Sequence, residues 1–168
     1  MPAAEPLFRE PLPLGSARLL PWTTVMAGSL LTIVPVGATL SLLPPFGLLV
    51  LLSWRLLAPF AIRLWAPAAL GLFDDIVSGQ PIGSAMLLWT LAYFLVGAME
   101  ARSGLRDFWQ NWAIAAAAIA LCLIGGRLVA TPLSAHVEVA LGFQIMLSVL
   151  IFPAVAFLIG RVDARRAR

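Results

Sequence analysis

The chain has 168 residues, 61% of them hydrophobic and only 11% charged, with a formal net charge of +3. A water-soluble domain carries roughly 25% charged residues, so an ordinary soluble core is excluded, and the mean hydropathy of +0.98 points to a membrane. All eleven basic residues are Arg, and they form no continuous stripe, which excludes a nucleic-acid surface despite the basic balance.

Residues 1–21 read as a Pro-rich N-terminal arm carrying Glu5, Arg9, Glu10 and Arg18. Such a segment buries little. The first hydrophobic segment is longer than the apolar core of a secretory signal and has no small-residue cleavage site after it. The stretch from Leu19 to Trp54 holds no charge, too long for one span of about 20 residues. Pro44-Pro45 divides it, because Pro starts helices well and continues them badly. The expected spans are 22–42 and 45–60. A third, 64–79, is stopped by Ser78-Gly79-Gln80-Pro81, where Gly supplies a left-handed cap. The remaining spans are 82–100, 108–129 and 137–160, with Thr131-Pro132 as the turn between the last two. Pro153 is expected to kink the sixth. Residues 161–168 form a basic tail, so residues 22–160 make one six-helix membrane domain.

The distribution of Arg orients this all-α bundle. With the N-terminus in the cytoplasm, ten Arg fall inside and only Arg127 falls in the outer half. Both termini are therefore expected to be cytoplasmic. Trp22, Trp109 and Trp112 fit interfacial anchors, whereas Trp54, Trp65 and Trp89 are expected to pack on neighbouring helices. Ala113 with Ala117, Ala116 with Ala120 and Gly97 with Ala101 are spaced for close helix approach, with internal packing as the expected use.

The charges that need an explanation are Asp74 and Asp75, since carboxylates inside a membrane segment are costly. Asp75 also sits in the last turns of its helix, where the macrodipole disfavours an anion. A compensating partner or a water-filled cavity is expected; Arg127, beside Gly125-Gly126, is the obvious partner, the alternative being that it snorkels to the outer surface. Asp74 points about 100° away from Asp75 on a helix, so the two cannot share a partner equally. Cys122 reads as a buried small side chain. His136 with Glu138 reads as a solvated loop pair rather than a metal site. No catalytic triad, phosphate loop or two-metal carboxylate set is present, so neither enzyme chemistry nor a metal or other cofactor is expected.

Trp54 on a short second span, Pro59 after it, and then Gly71 to Gly83 reading G-L-F-D-D-I-V-S-G-Q-P-I-G together resemble the rod shape-determining protein MreD family. On that resemblance the motif positions are Asp75, Ser78, Gly79, Pro81 and Gly83, with Asp74 as a neighbour; Ser53 stands where the family commonly has an aromatic residue. The resemblance implies a non-enzymatic, multi-pass subunit of the bacterial inner membrane that maintains rod shape. It implies direct binding of MreC, and through it a link between MreB filaments and the penicillin-binding transpeptidase and SEDS glycosyltransferase of cell-wall synthesis. The family is also similar in fold to the substrate-capture subunits of energy-coupling-factor transporters. The rival expectation is therefore a small-molecule capture subunit. A capture site needs several convergent polar groups, and this chain offers few beyond Asp74, Asp75, Tyr93, Arg127 and Gln144.

Overall fold

The computed structural model describes residues 16–31, 43–102, 107–130 and 135–166. Residues 1–15 of the expected 1–21 arm, the end of the first span, Arg106, the Thr131-Pro132 turn and Arg168 lie outside it, whereas residues 16–21 of that arm are part of the first helix. So do the side chains of Arg18, Arg102, His136, Glu138 and Arg166. Among the described residues there are six α-helices and no strand: α1 (Ser16–Leu31), α2 (Phe46–Leu57), α3 (Ala66–Ser78), α4 (Ser84–Arg102), α5 (Phe108–Ala130) and α6 (Ala135–Arg166).

Among the described residues, three helices, α4, α5 and α6, are long and apolar enough to cross a membrane. The 12 residues of α2 and the 13 of α3 rise about 18–20 Å, short of a hydrocarbon core about 30 Å thick. The second and third expected spans are thus shorter than the sequence reading drew them. The reason is local. Proline punctuates this region, with Pro45 as the N-cap of α2 and Pro67 in the first turn of α3. At the other extreme, α6 continues through Pro153 and includes residues 161–166 of the basic tail.

The hub is α2. Eight of its residues, from Gly47 to Leu56, are buried on several sides of the helix, the pattern of a helix enclosed by others. It packs against α1 and α6 and also touches α4 and α5; α3 packs on α4, α4 on α5, and α5 on α6. Lipid tails are as apolar as Leu, so such packing rests on close van der Waals fit rather than on escape from water. Small residues supply that fit where α1 meets α2: a Cβ on Gly28 would stand 3.1 Å from the Gly47 backbone. Fully buried Trp54 joins the same two helices, its indole Nε1 donating to Thr24 Oγ1 at 2.9 Å.

The outer surface is apolar. Leu87, Leu91 and Phe94 on α4, Leu128 on α5, and Phe143, Met146 and Leu150 on α6 are all exposed. An apolar surface of that extent suits lipid rather than water. Trp89 is buried as expected, but Trp65 is 57% exposed and lies against Trp22, the rings tilted by 54° with centroids 5.1 Å apart. Ala113 and Ala117 face outward, so they take no part in internal packing; Ala115 and Ala118 do instead. Cys122 is buried, with its thiol 3.5 Å from the Leu88 carbonyl.

Candidate functional site

The α3–α4 hairpin gathers most of the motif. Helix α3 ends at Ser78, and Gly79 comes next in the left-handed conformation at φ 67° and ψ 22°. Gly83, at φ 97°, leads into α4. Both positive φ values suit glycine, which has no Cβ to clash. The turn is tight, and it sets the C-terminal end of α3 beside the N-terminal end of α4.

Asp75 uses that juxtaposition. Its side chain is 1% exposed. Oδ1 accepts from the Ser84 hydroxyl and the Ala85 backbone N–H, both at 2.9 Å. Oδ2 accepts from the backbone N–H groups of Gly83 at 2.9 Å and Met86 at 3.3 Å. An α-helix leaves its first four N–H groups without intrahelical acceptors, and a carboxylate at that end meets the favourable pole of the macrodipole. Asp75 therefore caps α4 from outside it. The unfavourable pole of α3 is offset by the favourable pole of α4.

The expected partner was Arg127, and the structure corrects this. Both oxygens of Asp75 are occupied by donors from the start of α4. The acid that shares a cavity with Arg127 is Asp74, in a space of about 150 Å³ that Gln80 and Gln144 also line. The Ser29 hydroxyl of α1 lies beside Asp74, and Gln144 reaches across to donate to the Leu43 carbonyl at 2.8 Å. Helical phase explains the exchange: Asp75 turns toward α4, and its neighbour about 100° away turns toward the bundle interior.

The other motif residues support the hairpin. Ser78 Oγ donates to the Asp74 carbonyl at 2.7 Å, and the Ser84 N–H donates to the Pro81 carbonyl at 3.0 Å. Gly71 allows α3 to lie on α4, since a Cβ there would stand 2.6 Å from the Ala85 carbonyl oxygen. Gly71, Asp75, Ser78, Gly79, Pro81 and Gly83 thus form one structural unit. Asp74 and Arg127 belong to the adjoining cavity. Trp54 and Pro59 lie elsewhere: Trp54 in the α1–α2 contact, and Pro59 in the α2–α3 connection.

Near Pro59 is a second charged cluster that the sequence reading did not assemble. Arg55 Nη1 lies 2.9 Å from Glu100 Oε2, with the two side chains 14% and 7% exposed. The Arg55 guanidinium sits 5.0 Å from the centre of the Tyr93 ring, and the Tyr93 hydroxyl donates to the Ile62 carbonyl at 3.0 Å. Tyr93, Gly97 and Glu100 recur on one face of α4 at helical spacing. Gly97 leaves the room: a Cβ there would stand 2.5 Å from Arg55 Nη2. The available signal was depth, because the Arg asymmetry places Arg55 and Glu100 at the same end of the bundle. Among the described residues, no three His, Cys, Asp or Glu side chains converge as metal ligands would.

Six helices with an apolar exterior, three of them of membrane length, with Asp75 committed to a helix cap and Arg55 to Glu100, define a helical membrane protein. Its family emerges from comparison. The family model of the rod shape-determining protein MreD matches residues 17–163. The chain therefore belongs to the MreD family of shape-determining membrane proteins, as the Gly71–Gly83 run implied. No curated protein and no solved structure gives a significant match.

Proposed function

We propose that this protein is a non-enzymatic, multi-pass scaffold of the bacterial inner membrane, with both termini cytoplasmic, that serves the cell-elongation complex. In this reading it binds MreC directly and so joins MreB filaments to the transpeptidase and the SEDS glycosyltransferase. The observation that carries the reading is the family match over residues 17–163. The chemistry of the hairpin supports it. Asp75, the carboxylate one would first suspect of catalysis, has both oxygens committed to holding α4.

The rival capture role finds less support. The polar cavity beside Asp74 and Arg127 is about 150 Å³, whereas small-molecule sites occupy about 300–1,000 Å³. Depletion in the native host tests the choice. Rods should round up into spheres and later lyse. Retention of rod shape with loss of vitamin uptake would transfer the assignment to a capture subunit. Topology is tested separately, with a reporter active only in the periplasm fused to the C-terminus. Activity there would refute the cytoplasmic placement.

A further inference from the structure

At the end of the bundle away from the Asp75 cap, α2, the α2–α3 connection and α4 surround an open cavity of about 730 Å³. Its lining includes two guanidiniums, Arg55 and Arg63, and one carboxylate, Glu100. Glu100 is held by Arg55. Arg63 is exposed and makes no ion pair among the described residues. Among the described residues the cavity thus keeps one positive charge in excess, carried by the exposed Arg63 side chain.

The rim is apolar. Phe60 is fully exposed, Leu64 is 67% exposed and Trp65 is 57% exposed. Trp65 lies against Trp22, and tryptophans favour the headgroup level of a bilayer. A cation inside and large apolar side chains at the mouth are complementary to an anionic amphiphile. The volume falls within the range of small-ligand sites, and basic pockets between transmembrane helices are known to hold anionic headgroups.

We propose that this cavity binds the phosphodiester headgroup of an anionic phospholipid, with Arg63 as its charge partner and the acyl chains lying over Phe60 and Leu64. Glu100 does not oppose this, because its charge is neutralised by Arg55 at 2.9 Å. The apolar rim is what favours a lipid over free phosphate, which would gain nothing from Phe60 or Leu64. The inference needs only that the protein lies in a membrane; it is independent of the scaffold reading.

The test uses the full chain in a neutral detergent and counts retained ligands by native mass spectrometry. Phosphatidylglycerol, phosphatidylcholine and inorganic phosphate are the three probes. The wild type should retain phosphatidylglycerol in preference to phosphatidylcholine. Arg63→Gln should bind phosphatidylglycerol about five-fold more weakly, the factor for one basic side chain near an anionic surface. Arg161→Gln, on α6 over the Phe157 ring, should leave binding unchanged. Phe60→Ser, at a fully exposed position, should weaken phosphatidylglycerol without changing any retention of phosphate. Equal retention of the two lipids, or an undiminished preference in Arg63→Gln, would overturn the proposal. Phosphate binding that matched or displaced phosphatidylglycerol would assign the site to a soluble anion and overturn the lipid.

Discussion

Removing the Asp75 carboxylate should destabilise the protein more than any other single change in the hairpin. Asp75→Ala deprives four donors of their acceptor. Two of them, the Ser84 hydroxyl and the Ala85 N–H, make buried hydrogen bonds. A buried donor left without a partner costs about 1–3 kcal/mol, so these two alone cost about 2–6 kcal/mol. The lost charge–dipole interaction at the start of α4 adds about 0.3–1 kcal/mol, and up to about 2 in a partly buried geometry. Asp75→Asn keeps one oxygen but turns an amide NH2 toward N–H groups, so about half of the loss should remain. Against a total stability of about 5–15 kcal/mol, Asp75→Ala should remove a large share of the stability, and Asp75→Asn about half as much. The assay is unfolding by SDS in mixed micelles, monitored through helix content. A second comparison adds Arg127→Ala. Asp75 and Arg127 share no hydrogen-bond partner, so the two changes should add within about 0.5 kcal/mol. An Asp75→Asn protein that unfolds at the wild-type SDS fraction would refute the cap, and strong coupling to Arg127 would restore the ion pair.

The other predictions use the same unfolding assay. Gly71→Val should disrupt the α3–α4 contact, because even a Cβ would stand 2.6 Å from the Ala85 carbonyl oxygen; wild-type stability would refute that close approach. Gly79→Ala should cost about 1–2 kcal/mol from left-handed strain alone, since no atom lies within 4 Å of the added Cβ. Arg55→Ala and Glu100→Ala should each cost about 3–5 kcal/mol by stranding a buried charge, and the double change should cost less than their sum. Full additivity would show that the pair at 2.9 Å is not coupled. Trp54→Phe should cost about 1 kcal/mol through loss of the indole hydrogen bond to Thr24.

The sequence by itself determined what depends on near neighbours. Low charge and long apolar runs marked a helical membrane protein. Pro44-Pro45 and Ser78-Gly79-Gln80-Pro81 marked helix boundaries, and Gly79 does adopt the left-handed cap that this signature implies. Trp54, Pro59 and the run from Gly71 to Gly83 together pointed to the MreD family, and that run encodes one compact hairpin whose residues lie close in the chain.

Tertiary structure decided which groups meet across helices. Asp74 and Asp75 are adjacent and chemically identical, and composition assigns them no different fates. The phase of α3 against α4 does: Asp75 meets four donors within eleven residues of itself, whereas Asp74 faces Ser29 and the cavity shared with Arg127. Arg55 and Glu100 are joined only because α2 runs beside α4 and Gly97 leaves space between them. Helix caps and stops are written in local backbone preferences. Pairing between distant charges depends on crossing geometry, to which every helix in the bundle contributes.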